Sequence, residues 1–261
     1  MQHLFSPEGE AALAAVLRLR PLLAFDFDGT LAPIVALPRD ARAPAGLAAL
    51  LARLARQLPV AIVTGRAVAD VRGRLGFSPQ FVVGSHGAED GVDAAASAHR
   101  HDALAPLRGA LQAEAGALAA AGVLVEDKGL SVALHHRLAP DQPSALALID
   151  ALLAPLAGWG LHAFGGKMVV NVVAADAPDK AAALLALAAH CGAAAVLFAG
   201  DDLNDEPVFA LAPAHWLTLR VGRDVPQTAA RFGLDSQDEV GLLLQRLLDL
   251  LDEPGSDAAP G

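Results

Sequence analysis

The sequence predicts an α/β fold in which a parallel sheet, covered by helices on both faces, is interrupted by an α+β insert. Three observations lead there. Short apolar runs at 22–27, 59–65 and 81–87 are separated by helix-length segments, and strands buried on both faces of a parallel sheet read this way. The same rhythm returns over 179–221. Between the two, "GLSVALHHRL" (129–138) and "KMVVNVV" (167–173) alternate apolar with polar residues, as strands with one exposed or lining face do.

Each element has a local reason. Ser6 followed by Pro7 is an N-cap and first-turn pair, opening a helix to about Leu19. Strand 22–27 leads to a helix over 44–57 with Pro44 near its start. "PVAIVTG" (59–65) is an apolar, β-branched strand stopped by glycine, followed by helix 67–75 and strand 81–87. The insert, placed at 99–174, holds helices 102–121 and 143–156 and the two alternating strands. In "KMVVNVV", alternation puts Lys167, Val169 and Asn171 on one face and Met168, Val170 and Val172 on the other. The chain returns with helix 179–190, strand 195–199, helix 204–211 and strand 216–221. Residues 1–98 and 175–261 thus make the core, and "DEPGSDAAPG" (252–261) reads as a disordered tail. The stretch 181–200 is almost wholly apolar, near the ~20 residues of a membrane span. His190 and Gly192 divide it, and Gly192 is placed to end a helix.

Composition narrows the partners. The 261 residues carry a formal charge of −10, which argues against nucleic acid, anionic membrane or polyphosphate as main partners. A small anion remains open, provided a metal ion or a local basic pocket receives it. The single cysteine, Cys191, excludes an intrachain disulfide and suits a cytoplasmic setting. "MQHLFSPEGEAALAAV" has early glutamates and no basic segment before an apolar one, unlike a secretory signal. The expectation is a monomer or weak oligomer acting on a small molecule.

In open α/β sheets, ligands bind beyond the carboxyl ends of the strands. Those ends collect Asp26 and Asp28, then Thr64, Gly65 and Arg66, then Ser85 and His86, and finally Asp201, Asp202 and Asp205 of "GDDLNDE". Lys180 opens the helix before the last of these strands. Any one of them alone is an ordinary turn, cap or solvated helix residue. As a set they would repel one another without a cation, and hard oxygen ligands sharing a site with phosphate suit Mg²⁺.

"DFDGTL", "VTGR", a lysine before the fourth strand and "GDDLNDE" resemble the four motifs of the haloacid dehalogenase (HAD) superfamily, in its order. That resemblance implies a Rossmann-like core with an inserted cap of the C2 type. It implies Asp26 as the nucleophile that takes the phosphoryl group, and Asp28 as the acid that protonates the leaving oxygen and then activates water. It gives Thr64 to the phosphoryl oxygens and Lys180 to charge neutralisation. Asp201 would hold Mg²⁺ with Asp26 and the main-chain carbonyl of Asp28, supported by Asp202 and Asp205. Gly29, Gly65 and Arg66, inside these motifs, count as substrate-binding positions. An acid at the second motif position favours a hydrolase over an enzyme that keeps its aspartyl-phosphate.

"GSHGAE" (84–89), "VEDKGLSVALHHR" (125–137), "GGKMVVNV" (165–172) and Phe209 are similar to the trehalose-6-phosphate phosphatases of trehalose biosynthesis. In that family the insert is a mobile cap over the disaccharide. Glu126 and Lys128 would then bond sugar hydroxyls, with His86 and Glu89 near the core–cap junction. Two positions depart from the family: Asn171 stands where a sugar-contacting glutamate is usual, and Ala181 where glycine follows the lysine. Other readings are a sugar phosphatase of the sucrose-phosphate or mannosyl-phosphoglycerate type, and a non-catalytic sugar-phosphate sensor, which would have no need of Asp28. His135, His136 and His162 lack zinc-ligand spacing and read as strand and surface residues.

Overall fold

The computed structural model describes residues 1–35, 37–89, 94–223 and 227–253. Strand β1 (Gln2–His3) and helix α1 (Pro7–Arg18) come first. The Ser6 hydroxyl accepts from the Gly9 N–H at 3.2 Å, the expected cap. Next are β2 (Leu22–Phe25), α2 (Ala45–Leu54), β3 (Val60–Val63), α3 (Val68–Arg72) and β4 (Phe81–Val83). Three helices follow, α4 (Ala94–Ala103), α5 (Ala105–Ala113) and α6 (Ala115–Ala120). They lead to β5 (Leu124–Asp127), β6 (Ser131–His135), α7 (Gln142–Leu153), β7 (Leu161–Gly166) and β8 (Val169–Ala174). The chain closes with α8 (Lys180–His190), β9 (Val196–Gly200), α9 (Glu206–Leu211), β10 (Leu217–Val221), β11 (Phe232–Leu234) and α10 (Asp238–Asp252).

Seven strands make one sheet in the order β1-β11-β10-β9-β2-β3-β4, parallel throughout. Alternation along β2 assigns its two faces. Leu23 and Phe25 pack into a layer with Leu13, Leu51 and Leu244, while Leu22 and Ala24 pack into one with Leu184 and Phe209. A strand with both faces covered has no polar position to spare, which is why these runs looked continuous. Because β2 lies between β3 and β9, the strand order reverses beside it, and the crevice expected there opens at the carboxyl end of β2.

The second sheet, β5-β6-β8-β7, is antiparallel. Val132, Leu134 and Val172 pack with Leu107 and Ile149 in a separate apolar core. The opposite face turns toward the crevice, and His135, Val169 and Asn171 line it. Lysine side chains join the sheets directly: Lys128 Nζ donates to the Gly65 carbonyl at 3.0 Å, and Lys167 Nζ to Asp201 Oδ2 at 2.6 Å.

Several local expectations change. The helix read as 102–121 is a series of three. Pro106 has no N–H for the carbonyl four residues back, which accounts for the break at Leu104. Strand 81–87 ends at Val83, because Ser85 and His86 take left-handed φ values of 49° and 59°. The stretch 181–200 is α8, a turn at Gly192 and β9. Among the described residues, no helix is long and apolar enough to cross a membrane. Of the tail expected at 252–261, residues 254–261 lie outside the described residues.

Candidate active site

Asp26 follows β2 directly, and Asp201 follows β9 in the neighbouring position. Asp205 sits one short turn further on. Carboxylate oxygens of these three buried residues lie within 4.8 Å of one another. Lys180, at the start of α8, is 2% exposed and places Nζ 2.7 Å from Asp205 Oδ1 and 3.0 Å from Asp26 Oδ2. The Phe27 N–H donates to Asp26 Oδ1 at 2.7 Å, and the Asp202 N–H to Asp205 Oδ2 at 3.0 Å. Asp26 is therefore fixed by a backbone donor and an ammonium.

Burial and three converging carboxylates have electrostatic consequences. Burial, opposed by Lys180 and reinforced by Asp205 and Asp201, holds the Asp26 carboxyl well above the usual range. Burial pushes Asp201 up to about 6 despite the opposing Lys167, with Asp205 and Asp202 adding to the rise. For Lys180, burial works against the charge, yet Asp205 and Asp26 more than offset it and the ammonium is stabilised. The cluster thus carries more negative charge than its lysines balance comfortably. Its donors are all hard oxygens, so the chemistry of the set fits Mg²⁺.

Asp28 is held elsewhere. Arg66 forks onto it, Nε to Oδ2 and Nη2 to Oδ1, each at 2.7 Å. The same guanidinium donates to Asp70 Oδ2 at 2.9 Å and to the Pro38 carbonyl at 2.7 Å. Arg66 thus holds Asp28 while it also lines the cleft. Thr64 is fully buried, its hydroxyl accepting from the Arg66 N–H at 3.2 Å. Asp202 lies outside the carboxylate triad. It accepts from the Leu203 N–H at 2.8 Å and the Asn204 amide at 2.9 Å, making with Asp205 a reciprocal cap. Glu89 accepts from the Val68 N–H at 2.9 Å.

Two glycines make close approaches that no side chain would permit. Gly29 has φ +82°, and a Cβ there would lie 2.1 Å from Asp201 Oδ2. A Cβ at Gly65 would meet the His86 ring at 2.3 Å. His86 is buried under this turn, edge-on to Phe164 with ring centroids 4.9 Å apart. Burial first, then the ammoniums of Lys128 and Lys180, hold its pKa well below the ordinary value, although the Asn171 amide, beside the ring, favours its protonation; the imidazole is neutral.

On the inserted sheet, Glu126 Oε2 accepts from His135 Nε2 at 2.9 Å and lies 3.7 Å from Lys128 Nζ. Burial raises the Glu126 pKa, but His135 and Lys128 outweigh it and hold the carboxylate ionised. Asn171 is 2% exposed and lines the cleft. Lys167, Val169 and Asn171 all line it, the face that alternation predicted, while Val170 and Val172 belong to the sheet's own core.

The sequence reading passed over three supporting residues. The Thr30 hydroxyl donates to Asp201 Oδ1 at 3.3 Å. Arg220, fully buried on β10, donates to the Asp202 carbonyl at 3.0 Å and to Glu206 Oε1 at 3.3 Å, bracing the 201–206 loop. Lys167 contacts Asp201 itself. Thr30 lies inside "DFDGTL", and Arg220 is a lone charge in the apolar strand "LTLRV"; each was a readable signal.

The trehalose-phosphatase family model matches residues 24–229, from the run before the first aspartate to beyond β10. The chain belongs to the trehalose-phosphatase family. It is 36% identical over 255 residues to a trehalose-phosphate phosphatase from Mycolicibacterium paratuberculosis, covering 89% of this chain and 63% of that relative. The chain thus spans less than two thirds of that curated relative's length. Among solved structures, a trehalose-6-phosphate phosphatase related protein superposes with a TM-score of 0.71 at 25% identity, covering 88% of this chain and 99% of that one. The C-terminal domain of C. albicans trehalose-6-phosphate phosphatase superposes at 0.75 with 22% identity, covering 92% and 95%. At that identity the likeness speaks for the fold, which is that of the HAD phosphatases.

Proposed function

We propose that this family member is a Mg²⁺-dependent phosphatase that hydrolyses trehalose 6-phosphate through an aspartyl-phosphate on Asp26. The observation that carries the reading is the buried Asp26–Asp201–Asp205 cluster, clamped by Lys180 at the floor of a cleft that a second sheet roofs. Asp26, Asp201 and Asp205 would hold the ion. Bound there, Mg²⁺ would neutralise and orient the phosphoryl group.

The rest is work for the side chains. An Asp26 oxygen attacks phosphorus as the bond to the sugar oxygen breaks. Lys180 and the Phe27 N–H keep Asp26 aimed, and Lys180 lowers its repulsion from the phosphate dianion. Asp28 hands a proton to the departing sugar oxygen and takes one from the water that cleaves the acyl phosphate. Both its oxygens accept from Arg66, so the protonated acid must turn partly out of that fork to reach the leaving group. The cap, taken as residues 99–174, supplies Glu126, Lys128 and Asn171 to sugar hydroxyls, with neutral His86 at the junction. The reading is of a cytoplasmic enzyme, monomeric or weakly associated, and the acidic charge supports one that binds neither nucleic acid nor anionic membrane.

The test is phosphate release from trehalose 6-phosphate, sucrose 6-phosphate and glucose 6-phosphate. Trehalose 6-phosphate should be preferred, EDTA should abolish turnover, and added Mg²⁺ should restore it. Full activity after thorough chelation removes the metal from the reading, and a preference for another sugar removes the substrate.

A further inference from the structure

We propose that Lys167 is a positioning residue that competes with the divalent cation for Asp201, coupling cation binding to the seating of the β7–β8 hairpin. This rests on the Mg²⁺ reading above. Lys167 and Met168 form the two-residue turn between paired Gly166 and Val169. Met168 takes φ +62°, a conformation that favours glycine, so the tip is shaped by its surroundings more than by local preference. It is pressed on the 201–202 corner: a Cβ on Gly166 would lie 3.0 Å from Asp202 Oδ2, and the Lys167 N–H points at that oxygen from 3.4 Å.

The argument turns on the two oxygens of Asp201. Oδ1 accepts from Thr30, and Oδ2 is 2.6 Å from Lys167 Nζ. A hard cation coordinates a carboxylate oxygen at roughly 2.0–2.1 Å. An ammonium at hydrogen-bonding distance already takes up one lone pair of that oxygen, and the two positive charges repel. Lys180 differs: it is buried in the core and partnered by Asp26 and Asp205. Lys167 arrives from the insert and is 29% exposed, so it can leave without unfolding the core. Without a cation, Lys167 supplies the missing charge and draws the hairpin down. With one, the hairpin loses that anchor. By reciprocity, whatever the cation does to the hairpin, the hairpin does to the cation.

Calorimetry of Mg²⁺ binding to the full chain, without substrate, tests this. Lys167→Met should bind roughly five- to twentyfold more tightly than wild type, the size of an ordinary coupling. Lys167→Arg, which keeps the charge, should stay near wild type. Hydrogen exchange of amides over 161–174 should rise with saturating Mg²⁺ in wild type and stay unchanged in Lys167→Met. If Lys167→Met melts early, Lys167→Gln serves instead. Equal or weaker Mg²⁺ binding by the neutral variant, or a wild-type hairpin indifferent to Mg²⁺, overturns the coupling alone. No Mg²⁺ binding by any of the proteins overturns the coupling and the cation assignment together.

Discussion

The carboxyl end of the large sheet and the inner face of the small one meet across a single cleft, yet they are built by opposite rules. At the large sheet the charges are buried and interlocked: Lys180 is 2% exposed, Asp205 not at all, and each oxygen of Asp26 and Asp205 has a named donor. On the small sheet Glu126 pairs with its neighbours His135 and Lys128, and its side chain is 36% exposed. A buried ionic network tolerates almost no change, because removing one member strands the others. A half-exposed polar face over its own apolar core can be altered one residue at a time. Asn171 belongs to that second face, although it is itself 2% exposed.

The sharpest way to break this contrast is at the nucleophile. Asp26→Asn keeps shape and burial but cannot form the acyl phosphate, so phosphate release from sugar and aryl substrates alike should fall by at least about 10³-fold. Retained turnover, with deamidation excluded by mass spectrometry, would contradict the role. Lys180→Met should cost both activity and stability, roughly 3–5 kcal/mol in a urea melt, because Asp26 and Asp205 are left buried without their cation. A variant as stable as wild type would mean the network is looser than the distances indicate.

His86 lies on the boundary, and its effect is set by pH. Its pKa is depressed on folding, against an unfolded value near 6.5. Above that value both states are neutral and stability is unaffected. Below it the unfolded chain takes up a proton that the buried ring refuses, so stability falls as pH drops, by at most about 1.4 kcal/mol per unit. His86→Asn, which tolerates the left-handed backbone, should flatten that part of the slope between pH 7.5 and 5.5. Parallel wild-type and variant melting curves across that range would count against a buried neutral imidazole.

The smallest effect belongs to the small sheet. A neutral hydrogen bond from Asn171 to a sugar hydroxyl is worth roughly 0.5–1.5 kcal/mol. Asn171→Ala should therefore lower kcat/KM for trehalose 6-phosphate about two- to tenfold, and leave p-nitrophenyl phosphate nearly untouched. Equal loss on both substrates would make Asn171 structural.

The same contrast decides how much the sequence disclosed. The buried parallel strands were legible because double burial leaves continuous apolar runs, and the carboxylates were legible because they stop those runs at fixed places. The insert was harder. β5, "LVED", is half charged and β7, "LHAFGG", ends on two glycines, so both have weak strand preference and are held by their neighbours. α10 was within reach, since its buried Val240, Leu243, Leu244, Leu247 and Leu248 keep helical spacing. Spacing could not disclose that Arg66 spends its donors on Asp28, or that Lys167 crosses to Asp201, because both are contacts between distant segments.

The order of strands in the large sheet also bears on how the chain reaches this state. β2 pairs with β9, so Thr30 finds Asp201 171 positions away, and β1 pairs with β11. Pairings between such distant segments must bear the loop-closure entropy before any contact offsets it, and they form slowly. During synthesis β2, β3 and β4 emerge before the insert, with the β9 side of β2 unprotected until the whole insert has been made. The small sheet, whose strands pair between near neighbours in sequence apart from the β6–β8 link, can form in that interval. The carboxylates of the cluster come together only afterwards, so assembly of the acidic site is a late event in folding.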